Sequence, residues 1–193
     1  MKSIAVFCAS SDGHDPIYKE TAYQVGKTLG EKGYRIIYGG GKVGSMGAVA
    51  RGGLDAGGEV IGVIPDFLCK KEIAMEGLTE LIIVENMHDR KLKMNELSDG
   101  SISLPGGFGT LEEYFEIITW GQLGLHTKPS AILNVNGYYD PMVLQFEKMV
   151  ESDLLQEKYS DMLLIEKDLE LLIEKMENYK HPVVYRWLDR DEV

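Results

Sequence analysis

Two glycine-rich turns constrain the fold of this chain most, because each stands where a short apolar run ends and an amphipathic stretch begins. The first covers Gly39 to Gly47 and follows the run at 34–38; the second covers Pro105 to Thr110 and follows 102–104. Glycines at the end of a strand let the backbone turn tightly into a helix or approach a ligand closely. The same alternation of short runs and long stretches continues along the chain. Strands are expected at 4–8, 34–38, 60–64, 81–84, 102–104 and 131–135. Helices are expected at 18–32, about 45–56, 87–97, 111 to about 123, from about 141, and 167–179; in the first, Ala22, Val25 and Leu29 recur at helical spacing. Residues 66–77 show no clear period and read as a loop with one helical turn at most, and loops of that length are often functional. The pattern predicts an α/β fold: a single doubly wound, Rossmann-like domain over residues 1–193, with a mainly parallel sheet flanked by helices. Ligands in such sheets bind outside the carboxyl ends of the strands.

Composition narrows the partners. A chain of 193 residues buries roughly 70% of the surface its unfolded form exposes, so no staple is needed. Lys and Arg number 20 against 31 Asp and Glu, a formal charge of -11. Nucleic acids and anionic membranes want a basic face, and this balance argues against both. No stretch approaches the ~20 apolar residues of a membrane span. The residues after Met1-Lys2 turn polar too soon for a signal peptide, and Cys8 and Cys69 cannot build a disulfide framework, so a reducing cytoplasm is the expected compartment.

Chemistry is offered at three places. Gly39, Gly41 and Gly44 formally match GxGxxG, but a strand and a helix precede them, whereas a dinucleotide fingerprint follows the first strand of its unit. Lys42 is not followed by Ser or Thr in register, which excludes a P-loop. Phosphate contact and a plain tight turn both remain open there. At the second turn three glycines leave the backbone bare, and Thr110 is placed to cap the next helix. Thr110 to Glu113 then reads as a capping box, with Glu113 reaching back to the Thr110 backbone. Alternatively a phosphate takes the free N–H groups, and Glu113 stands at the pocket wall facing a sugar. The third place is the basic group of the helix at 87–97. Met87, Met94 and Leu97 mark its buried face, and Arg90 and Lys91 border it. Lys91 and Lys93 are expected to snorkel to water. Arg90 suits ribose oxygens, phosphate or a catalytic carboxylate. His88 reads as a surface or border residue with no second ligand at metal spacing, so no metal site is expected.

Taken together the three clusters resemble the LONELY GUY family of cytokinin riboside 5'-monophosphate phosphoribohydrolases. The PGGxGTxxE motif is complete from Pro105 to Glu113, the MHxRK element is Met87 to Lys91, and GGGxxGxMG is Gly39 to Gly47. Such proteins were often labelled lysine decarboxylases, but no lysine here stands with the partners that pyridoxal phosphate needs. The resemblance implies hydrolysis of the N-glycosidic bond of adenosine monophosphate or its N-substituted relatives, without a cofactor, on a small-molecule nucleoside 5'-monophosphate. It implies Arg90 and Glu113 as the catalytic pair. Glu72, Lys91 and Thr119 are implied as substrate contacts, and Gly106, Gly107, Phe108, Gly109, Thr110, Leu111 and Glu112 as the nucleotide cradle. Ser10, Ser11, Gly44 and Met46 fall where the family lines its site.

Two departures stand out. Ala9 replaces a common glycine, and Glu151-Ser152-Asp153 replaces an apolar, glycine-containing ending. The resemblance also implies a homodimer. The helix bearing Ile117, Ile118, Trp120 and Leu123 offers an apolar face, which burial against the chain's own sheet explains equally well. Two other functions fit the fold: a non-catalytic nucleotide or cofactor carrier, against which Arg90 and Glu113 together argue, and an NAD-dependent oxidoreductase, for which no hydride-transfer acid or base is identified.

Overall fold

The structure is a computed structural model and describes residues 1–69 and 74–182. Strands β1 (Ser3–Phe7), β2 (Arg35–Tyr38), β3 (Val60–Pro65), β4 (Glu80–Val84), β5 (Gly100–Ser103), β6 (Ser130–Leu133) and β7 (Leu164–Glu166) form one seven-stranded sheet. Helices are α1 (Pro16–Glu31), α2 (Gly44–Asp55), the single turn α3 (Asp66–Cys69), α4 (Met87–Leu97), α5 (Phe108–Gln122), α6 (Asp140–Glu151) and α7 (Leu169–Glu177). The strand order is β4-β3-β2-β1-β5-β6-β7, and every pairing is parallel. The predicted α/β fold is therefore observed, with an all-parallel sheet. β7 adds a seventh strand to the six read from sequence: three residues at the sheet's edge, followed by Lys167-Asp168, are too short to give a periodic signal.

Alternation along the strands sorts the helices onto two faces. Ile4 and Val6 of β1 pack with Ala22, Val25 and Leu29 of α1, Val49 of α2 and Leu172 of α7. Ala5 and Phe7 point the other way, toward Met94 of α4 and Ile117 of α5. Tyr114 of α5 and Phe146 of α6 extend that second face over β6. Ile117 thus belongs to the chain's own core, as does the half-buried Trp120 packed beside it, while Leu123 stays exposed. Among the described residues no helix is long and apolar enough to cross a membrane.

The order of strands creates the site. From β1 the chain winds outward through β2, β3 and β4, then returns along α4 and enters β5 on the other side of β1. The connections above β1 and β5 therefore diverge, and a crevice opens between them at the strands' carboxyl ends. One wall depends on how closely α1 and α2 approach. A methyl group on Gly26 would overlap the carbonyl of Val49, and one on Gly52 would overlap that of Tyr23. Gly26→Ala must push the two backbones apart, and we expect a loss of about 2 kcal/mol or more. Urea unfolding reads this directly; an unchanged midpoint would show that the helices have slack.

Candidate active site

The crevice has two lobes of about 260 Å³ each, which share Ala9, Ser11 and Gly107 as a common wall. Arg90 and Glu113 meet in one of them. Arg90 comes from the first turn of α4, whose start is fixed by Asn86: its side chain accepts from the Asp89 N–H at 2.9 Å. The guanidinium is buried; its Nε donates to the Val63 carbonyl at 3.2 Å, and its Nη1 lies 3.2 Å from Glu113 Oε1. Gly39 makes this possible, because any Cβ at that position would occupy the space of the guanidinium. Gly39 is therefore a packing device. Gly44 presses likewise on the backbone of Ser10 and Ser11, and the Met46 N–H donates to Ala9 at 3.1 Å.

Glu113 is only 4% exposed. Burial pushes its carboxyl up to about 7, although the Arg90 charge pulls the other way. A buried carboxyl facing one guanidinium exchanges its proton near neutrality, which suits a group that must act as a base.

The expected capping box is not formed. α5 begins at Phe108 with Gly107 as its cap, no side chain bonds to the helix start, and Thr110 is already inside the first turn. Glu113 turns to Arg90 because a buried cation holds a carboxylate more strongly than a neutral N–H does. By contrast Asp15, Asn86 and Asp168 cap α1, α4 and α7 with their side chains. The first N–H groups of α5 have no acceptor within the helix, and with its dipole they favour an anion there.

Three comparisons with known proteins bear on this geometry. Residues 46–176 match a family model described as "Possible lysine decarboxylase". A probable cytokinin riboside 5'-monophosphate phosphoribohydrolase of Oryza sativa subsp. japonica is 43% identical over 176 residues, which cover 91% of this chain and 79% of that protein. A cytokinin riboside 5'-monophosphate phosphoribohydrolase of Rhodococcoides fascians is also 43% identical, over 88% of this chain and 86% of its own length. The chain belongs to the LONELY GUY family. Among solved structures, the molybdenum cofactor binding protein of Rippkaea orientalis superposes with a TM-score of 0.68 at 22% identity, over 92% of this chain and 96% of that one. At that identity the likeness concerns the fold alone.

Of the residues matched to the LONELY GUY pattern, Ser10, Ser11, Met46, Arg90, Gly107, Phe108, Gly109, Thr110 and Glu113 line one lobe, and Gly106 lines the other. Phe108 holds its ring almost wholly in solvent, 93% exposed at the rim. Others stand away from the cleft. Leu111 packs with Tyr114 and the α6 side, and Thr119 is exposed farther along α5. Lys91 does not snorkel: it is buried against α5, pairing with Glu112 and, at 2.9 Å, with Glu116. Burial opposes its charge, but the two carboxylates prevail and raise its pKa. An ammonium held charged in this way is unsuited to forming a Schiff base, which needs the neutral amine. Glu72 lies outside the described residues. Sequence reasoning missed Tyr18 and Tyr138, which line the second lobe. For Tyr138 the signal was present: it follows a strand's carboxyl end, where ligand-facing loops are found in such sheets.

Proposed function

We propose that the chain hydrolyses the N-glycosidic bond of adenosine monophosphate or of cytokinin riboside 5'-monophosphates, releasing the free base and ribose 5-phosphate. The observation that carries this reading is the buried Arg90–Glu113 pair in the same lobe as the uncapped start of α5. Cleavage at the anomeric carbon builds positive charge on the ribose, which a carboxylate stabilises while it orients or deprotonates water. Glu113 takes that role. Arg90 holds Glu113 in place and presents its remaining N–H groups toward the ribose. As the C–N bond breaks, the purine ring takes a proton from solvent while Glu113 takes one from the attacking water and later returns it to solvent, so a single carboxylate suffices. The phosphate, held by the N–H groups from Gly107 to Thr110, supplies binding energy remote from the broken bond. The names of the relatives support the same substrate class. The resemblance to the family supports the further reading that the chain works as a homodimer.

Incubation with adenosine monophosphate tests the activity: adenine and ribose 5-phosphate should appear in equal amounts. Nucleotide that binds and stays intact would favour the carrier instead. The pH dependence adds an independent test. Glu113 must be ionised to act, and its carboxyl titrates at about 7. kcat/KM should therefore climb through neutrality on an acid limb with that midpoint. A limb centred near an ordinary carboxyl value would mean that Glu113 is not the titrating group.

A further inference from the structure

The connection between β6 and α6 stands beside the cradle and has no part in the chemistry derived above. Its Tyr138 hydroxyl donates to the Gly106 carbonyl at 2.7 Å, and the next hydroxyl, on Tyr139, donates to the Leu104 carbonyl at 2.7 Å. The two phenols thus grip the backbone on either side of Pro105. The consequence follows from peptide geometry. None of the described peptide bonds is cis. In a trans peptide the C=O of one residue and the N–H of the next share a rigid plane and point in opposite directions. Holding the Gly106 carbonyl therefore aims the Gly107 N–H, and Gly107 lines both lobes of the crevice. Glycines at 106, 107 and 109 cannot fix that plane by themselves, since they have more freedom to lose than any other residue.

The tyrosines are themselves held. Asn134, buried after β6, accepts from the Tyr139 N–H at 2.8 Å and donates to Asp140 Oδ1 at 2.7 Å. Asn136 and Gly137 adopt positive φ of 51° and 73°, which folds the turn back toward the cleft. The Tyr138 ring packs edge-on against Tyr139 at 4.9 Å and against Tyr18 at 5.6 Å.

We propose that Tyr138 is a positioning residue for the phosphate end of the substrate: through the Gly106 carbonyl it sets the direction of the cradle's Gly107 N–H. This rests on the nucleotide reading of the cleft. It separates two duties within the loop, since glycine makes room for the anion and Tyr138 removes the rotational freedom that glycine brings.

Tyr138→Phe keeps the ring contacts and deletes only the hydroxyl. Equilibrium binding of adenosine monophosphate, ribose 5-phosphate and adenosine should be measured by calorimetry on the full chain, together with kcat, KM and the thermal midpoint. Affinity for both phosphorylated ligands should fall roughly 5- to 10-fold, as expected for one lost and one misdirected hydrogen bond. Adenosine binding and the thermal midpoint should hold, and the kinetic loss should appear in KM rather than kcat. Unchanged binding of adenosine monophosphate would overturn the proposal, and so would an equal loss for adenosine. If the unaltered protein releases no adenine but the phosphate-selective loss is still seen, the hydrolase reading fails and the positioning role stands. If the unaltered protein binds neither phosphorylated ligand, the cradle itself is wrong and both fall.

Discussion

Glu113→Gln should stop base release while leaving nucleotide binding nearly intact. The amide keeps the size of the carboxyl, but it cannot take a proton from water and carries no charge to set against the ribose cation. Base catalysis alone is worth roughly 10²- to 10⁴-fold, and electrostatic stabilisation adds to it, so turnover should drop by about 10³-fold or more. The comparison belongs above neutrality, because the unaltered carboxyl titrates at about 7 and is fully ionised only there. Adenine release followed by chromatography gives the rate, and calorimetry with adenosine monophosphate gives the binding. Near-normal turnover would remove Glu113 from the chemistry.

Arg90→Ala should be nearly as damaging, and its cost should depend on pH in a direction that the structure fixes. The substitution deletes the ion pair with Glu113 and the bond to the Val63 carbonyl, both in a buried setting. Without the guanidinium, burial acts on Glu113 unopposed and its folded pKa rises beyond about 7. Near neutrality most of the variant then carries a protonated, inactive carboxyl. We expect a loss of roughly 10²- to 10³-fold, with the acid limb moved upward by about one pH unit or more.

Stability should follow the same proton. A carboxyl whose folded pKa exceeds its unfolded value is a liability that appears as pH climbs past the unfolded value and is complete only above the folded one. The Arg90→Ala variant should therefore lose less stability near about pH 5, where Glu113 is protonated in the fold and only the Val63 bond and the packing are forfeited, and more near about pH 9. Urea unfolding at the two pH values checks this, and a pH-independent loss would mean that Glu113 does not carry the burden.

Local signals were readable from the sequence. The helix expected at 87–97 is α4 as observed, and the strand-to-glycine junctions placed the cleft at the correct end of the sheet. What stayed hidden was set by contacts distant in the chain. Gly39 stood out as a glycine, but its reason, room for a guanidinium 51 positions later (39 to 90), exists only in three dimensions. Thr110 and Glu113 match a local capping pattern, and only the arrival of Arg90 decides against it. Lys91 looks like a snorkelling lysine until α5 presents Glu112 and Glu116 to it. Tyr138 stood in view after a strand's carboxyl end, but the role proposed for it runs through one hydroxyl and one carbonyl 32 residues apart.

The Arg90–Glu113 ion pair also straddles the seam of the molecule. Arg90 arrives on the last helix of the β1-to-β4 half, and Glu113 on the first helix beyond β5. Neither half holds both charges, so the proposed site is a property of their docking. During synthesis Arg90 leaves the ribosome first and has no carboxylate to meet until β5 slides in beside β1, a pairing of high sequence separation and hence a slow one. A nascent chain halted before β5 would carry Arg90 with no Glu113 to meet.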